Sequence, residues 1–129
     1  MGAEIVTLPN RPMARHCCPT DPDAELKYAV EQYIRTVDYW NRSRRVTDEM
    51  AARLHRIRDA WEDRVLESDP ATIGGLAAKL RYTLAEYSDN PRMCHYLLTR
   101  TVPNEERDDF NLQEAMLWEL SLLAEQLAR

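Results

Sequence analysis

Five side chains of this 129-residue chain are of the donor types that hold zinc: His16, Cys17 and Cys18 near its start, and Cys94 and His95 far along it. Thiolate and imidazole are the usual ligands of tetrahedral zinc. Their spacing argues against that chemistry. Adjacent cysteines lack the two-residue gap of a zinc knuckle, and Cys94-His95 has no matching partner motif, so the plainer reading is ordinary packed or exposed thiols. A carboxylate-bridged metal centre in a helical bundle needs Glu-x-x-His pairs, because an interval of three sends both ligands inward from one helix face. The residues three before His16, His55 and His95 are Met13, Ala52 and Arg92, so that centre is disfavoured. Nucleophilic hydrolysis needs a serine or cysteine beside a histidine base and an oxyanion site, and the chain has no Gly-x-Ser-x-Gly elbow. No catalytic residue, metal ligand or cofactor is assigned.

Cationic side chains form the other cluster. Arg42, Arg44 and Arg45 precede Arg53, Arg56 and Arg58, with His55 among them. Read as a solvated helix face, the cluster does nothing; read as a patch made of Arg42, Arg44, Arg45, Arg53 and Arg56, it offers charge to a phosphate backbone or an acidic protein. The net charge of −5 disfavours nucleic acid and anionic membrane surfaces as partners of the whole molecule. Gly74-Gly75 can expose amides to an anion at a helix start, but no phosphate-loop pattern surrounds them and close packing is the simpler use. Trp40, Trp61, Trp118, Tyr28, Tyr33 and Tyr39 suit either a core or an interface, with the core as the default.

These residues need helices to position them. Pro9, Pro12 and Pro19 mark residues 1–20 as a flexible arm. Asp21-Pro22-Asp23 then combines a cap, a first-turn proline and an early negative charge. Leu26, Val30, Tyr33, Val37 and Trp40 recur by fours and threes, and Met50, Leu54, Ile57, Trp61 and Val65 repeat that stripe after a cap at Thr47. The pair predicts an antiparallel helical hairpin. A third helix is expected from Thr72 with Ile73, Leu76, Ala77, Leu80, Leu84 and Tyr87 as its apolar positions. A short helical stretch fits Met93 to Leu98, and a terminal helix from about Glu105 is expected to bury Leu112, Met116 or Leu117, Leu120, Leu123 and Leu127. The fold class is therefore all-α, a helical hairpin packed with two further helices, four-helix-bundle-like, in a single domain over 21–129. No apolar stretch reaches the roughly 20 residues of a membrane span, and the start lacks a secretory core. With three cysteines, an odd number that builds no disulfide framework, a cytoplasmic location follows.

The order of a long hairpin, then Pro70-Ala71-Thr72-Ile73-Gly74-Gly75-Leu76-Ala77-Ala78-Lys79-Leu80-Arg81, then Leu117-Trp118-Glu119-Leu120, resembles small helical proteins encoded in bacterial genomes and prophages. The resemblance covers roughly residues 21–127 and carries no active-site residue; it implies a helical accessory protein. The expected function is a non-enzymatic helical interaction factor, regulatory or accessory to a mobile genetic element, with a protein partner or self-association. The alternative is a nucleic-acid-associated regulator using the basic hairpin.

Overall fold

Helix-start chemistry divides the chain. Thr47 and Thr72 each stand in extended backbone and accept, through the side chain, the amide three residues on: Met50 N at 3.1 Å and Gly75 N at 3.0 Å. Asn111 does the same for Glu114 N at 2.8 Å, and the Glu114 carboxylate returns the bond to Asn111 N at 3.0 Å. Such caps satisfy amides that have no partner inside the helix. In the computed structural model, which describes residues 21–129, they open three of six helices: α1 (Ala24–Arg42), α2 (Asp48–Glu67), α3 (Ile73–Tyr87), α4 (Met93–Thr99), α5 (Asn104–Arg107) and α6 (Leu112–Leu127). The described residues contain no strand, and none of their helices is long and apolar enough to cross a membrane. Residues 1–20, with the expected arm and His16, Cys17 and Cys18, lie outside the described residues.

The hairpin, the third helix and the short α4 fall where the sequence places them. The last helix does not begin near Glu105. One turn, α5, ends at Arg107, and helix resumes only at Leu112, because the reciprocal Asn111–Glu114 cap sets the start there.

α1 is the central element and packs against α2, α3 and α4, while α3 packs against α1, α4 and α6. Leu26, Val30, Tyr33 and Ile34 of α1 join Val65, Tyr82, Leu84, Met93, Leu97 and Trp118 in one buried cluster. The Tyr33 and Tyr82 rings meet edge to face at 5.0 Å, a favoured aromatic geometry. Their hydroxyls leave the apolar cluster by donating to Glu86 at 2.5 Å and Glu62 at 2.7 Å. Burial, reinforced by those carboxylates, raises both phenols far above their ordinary range.

The start of α3 is held by a charge. Asp23, 3% exposed, accepts from Ala71 N at 3.0 Å, Thr72 N at 2.8 Å and the Thr72 hydroxyl at 2.5 Å. The anion that the Gly74-Gly75 start attracts is thus the protein's own carboxylate, placed where the helix macrodipole favours it. Burial pushes the Asp23 carboxyl up, but the Thr72 hydroxyl, the two amides and Lys27 together outweigh it and hold it below the usual range. A carboxyl lowered on folding stabilises fully above its unfolded pKa of about 4 and ceases to do so as pH falls through the lower folded value. Asp23→Asn should therefore be less stable than the parent by about 1–3 kcal/mol at neutral pH. That gap should narrow below about pH 4, as followed by thermal unfolding across pH; a gap independent of pH would show that shape and not charge matters there.

Candidate interaction site

The structure gives the sequence-predicted basic residues one neighbourhood and different circumstances. Arg42 closes α1 and donates to the buried Asp38 at 3.0 Å. Arg44 and Arg45 stand exposed in the 43–47 connection, and Arg53 and Arg56 stand exposed in the first half of α2. None of the ion pairs among the described residues engages these last four. His55, also exposed, stacks edge-on against Trp40 at 4.7 Å, so it helps to fix the hairpin tip.

Cys94 and His95 part company: Cys94 is buried in the core cluster, whereas His95 is exposed. Among the described residues no group of three or more His, Cys, Asp or Glu side chains is gathered as metal ligands would be. Burial pushes the Cys94 thiol up to about 12, with Asp38 adding to the shift. Since the thiolate is the reactive form, Cys94 should resist alkylation at pH 8 in the native protein and react on denaturation, as read by peptide mapping. Native modification at the rate of a free thiol would contradict its placement. His95 borders a cleft of about 720 Å³ with Asp38, Arg42, Arg92, Tyr96 and Glu106. Most of its charges are paired, Arg42 with Asp38 Oδ2 and Arg92 at 2.9 Å with Glu106, which also accepts from the Tyr96 hydroxyl, but the second oxygen of the buried Asp38, Oδ1, has no hydrogen-bond partner.

The larger feature is apolar, and the sequence expectation puts much of it in the core. Leu112, Met116, Leu120, Leu123 and Leu127 of α6 are instead exposed, whereas Leu117, the alternative to Met116, packs against the core. On α3 the expected Ala77 and Leu84 are buried, but Ile73, Leu76 and Tyr87 are exposed. α6 instead buries Glu114, Trp118, Ser121 and Ala124. α3 buries Gly75, Ala77, Ala78, Arg81, Tyr82 and Leu84. The physical reason is close approach. Small residues line much of the α3–α6 seam, where a carbon added at Gly74 would sit 3.6 Å from the Ala128 methyl. At the other end of the seam the Ser88 hydroxyl donates to Glu114, so the two helices run antiparallel.

Polar contacts tie these helices to α4. The Arg81 guanidinium, buried in α3, donates to Leu97 O of α4 at 2.9 Å, and burial lowers its pKa. Arg100, which ends α4 in the left-handed region at φ 62°, donates to Glu125 of α6 at 3.0 Å. The exposed leucines of α6 fall within one narrow stripe of the helical wheel, since steps of four, four, three and four return to nearly the same angle. On the helical wheel the exposed stripe lies about a quarter-turn from the seam on α3 and more than a third of a turn from it on α6. Antiparallel pairing puts both stripes on the side away from α1. The result is one two-helix apolar face.

Fold and site together define an all-helical chain with an open apolar helix pair and a separate cationic hairpin tip. Comparison with protein-family models, curated proteins and solved structures finds no match for it.

Proposed function

We propose that the protein is a non-enzymatic helical interaction factor whose contact surface is the α3/α6 face. One observation supports this above the others: α6 already has a buried side, with Trp118 and Ala124 beside Glu114 and Ser121, and yet leaves Leu112, Met116, Leu120, Leu123 and Leu127 exposed in a stripe on another. A contiguous exposed apolar patch marks an interaction surface. Within the chain the four long helices form a row, α2 with α1, α1 with α3 and α3 with α6, so the four-helix arrangement expected from the sequence leaves α6 at an open end.

The test is Leu120→Glu combined with Leu123→Glu. Both positions are about half exposed, so the variant should keep its helicity and unfold near the parent, surface changes being worth about 0.5 kcal/mol. Association of the purified chain, with itself or with an added partner, should be lost. Parent and variant behaving alike in association would refute the reading.

A second reading has its own support in charge. Residues 42–58 hold six of the chain's seventeen cationic residues and two of its twenty-two acidic ones. Such a tip attracts polyanions even when the whole molecule is acidic. Binding of a DNA duplex that weakens steeply with salt and is lost with Arg44, Arg45, Arg53 and Arg56 changed to alanine would support it; no binding at low salt would end it.

A further inference from the structure

The cleft beside the end of α1 contains a carboxylate that the fold leaves half used. Asp38 is 4% exposed, and a carboxylate offers about four lone-pair positions to donors. Arg42 Nε meets one of them, on Oδ2 at 3.0 Å, while Oδ1 has no hydrogen-bond partner. The other buried acids among the described residues are completed from within. Asp23 gathers two amides and a hydroxyl, and Glu114 closes a cap and accepts from Ser88. A buried oxygen without a donor is disfavoured. The ion pair with Arg42 offsets little of that, because the Arg42 side chain is 67% exposed and solvent screens such a pair. Oδ1 is thus an acceptor suited to a donor from outside the fold.

Its surroundings select the donor. Asp38 lies four residues before the end of α1, where the carbonyl end of the helix adds partial negative charge and favours a cation. An anion would meet the carboxylate and the helix end together. Calcium or magnesium needs several oxygen ligands, and no group of three or more His, Cys, Asp or Glu side chains is gathered for a metal among the described residues. A protonated primary amine fits better, being compact, positively charged and rich in N–H donors. The cleft has room for the rest of such a molecule. Its volume of about 720 Å³ falls within the roughly 300–1,000 Å³ of small-molecule sites, and Pro91 and Pro103 give it apolar wall. Two ties fix its frame: Asn41 Nδ2 of α1 donates to Pro91 O at 3.2 Å, and Arg92 at the start of α4 pairs with Glu106 of α5 at 2.9 Å.

We propose that this cleft binds a small molecule carrying a protonated primary amine, with Asp38 receiving the ammonium group and the exposed Arg42 side chain swinging aside to admit it. The site lies on α1, α4 and α5 and shares no residue with the α3/α6 face, so it does not depend on what covers that face.

NMR titration of the full chain tests it, with the free amino acids and the amines left by their decarboxylation as probes at millimolar concentration. At least one probe should bind and shift the signals of Asp38, Arg42 and His95. N-acetylation of that probe, which removes the ammonium charge, should weaken binding by on the order of tenfold or more. Asp38→Asn should do the same, with circular dichroism showing whether its helices persist. Arg42→Gln is the variant that damage to the fold would not imitate: with the competing cation gone, the same probe should bind several-fold tighter. Preference for the amino acid over its decarboxylated amine would place the ligand's carboxylate at Arg92 and His95, and the reverse preference would identify a simple amine. No binding by any probe leaves water as the partner of Oδ1 and overturns the site. Binding that survives N-acetylation or Asp38→Asn, or that Arg42→Gln weakens, overturns it as well.

Discussion

Gly75→Ala is expected to destabilise the protein by about 2–4 kcal/mol although alanine is the better helix former by about 1 kcal/mol. An alanine Cβ at this position would lie 2.5 Å from Asp23 Cγ and 3.0 Å from Asp23 Cβ. Neither atom can yield cheaply, because the carboxylate is fixed by Ala71, Thr72 and the Thr72 hydroxyl. Relief means moving a buried charge off its donors, and each such bond contributes about 1.5–3 kcal/mol. Gly74→Ala is the internal control. Its added carbon would meet the end of the Lys27 side chain at 3.0 Å and the Ala128 methyl at 3.6 Å; the lysine can swing aside, so the helix-propensity gain should survive and the change should be neutral or stabilising by up to about 1 kcal/mol. Denaturant midpoints of the two single variants check the contrast. If both stabilise the protein alike, Asp23 does not occupy the start of α3. Combining Gly75→Ala with Asp23→Ala should cost less than the two separate losses together, since one removes the obstacle the other meets.

Trp118→Ala is expected to cost about 3–5 kcal/mol, a large share of the 5–15 kcal/mol by which domains of this kind are stable. Trp118 is 3% exposed and is the one aromatic that α6 sends into the core. Phe110 meets its ring edge-on at 6.2 Å. Alanine leaves a cavity that the close α3–α6 seam cannot fill by collapse, since Ala77, Ala124 and Ala128 already bring the backbones together. The loss should appear as a thermal midpoint lower by on the order of 10 °C, with Trp118→Phe falling between. By contrast Leu112→Ala, in the same helix but 76% exposed, should change the stability of the isolated chain by no more than about 0.5 kcal/mol. Equal costs at the two positions would mean that α6 is turned about its axis relative to the arrangement described.

That contrast also marks where the sequence is legible. Along α1, spacing by fours and threes identifies Leu26, Val30 and Tyr33 as buried, because three neighbours cover that side; Val37 and Trp40 of the same stripe are only partly buried, and Ala29 and Ile34 are buried beside it. Thr47 and Thr72 announce their helices because a hydroxyl cap has a local pattern. α6 defeats the same logic. It carries two apolar stripes, and the longer run of leucines outweighs Trp118 and Ala124, whose inner face includes Glu114 and Ser121. Those two are tolerated inside because Glu114 closes a cap and accepts from Ser88, while the Ser121 hydroxyl donates to Trp118 O at 2.8 Å. The Asn111-x-x-Glu114 pattern was the available signal, since it fixes both the start of α6 and which side carries Glu114. Likewise, of the expected α2 stripe only Val65 is buried; Leu54, Ile57 and Trp61 are partly covered and Met50 is exposed, because α1 alone lies against it as a close neighbour. The cationic tip is fully legible as charge; which helices stand beside it is not, because that depends on tertiary contacts.

The central claim is that the α3/α6 face is a contact surface covered when the protein works, and methionine oxidation measures it most directly. Met116 on the face is 56% exposed in the single chain, Met50 on α2 is 38% exposed, and Met93 in the core is 1% exposed. Accessibility governs how fast a thioether is oxidised. With the native protein in its associated form and dilute peroxide, the account predicts that Met116 reacts more slowly than Met50, and that the order reverses once dilution dissociates the assembly. Met116 reacting faster than Met50 at every concentration would show the face open to water and contradict the account.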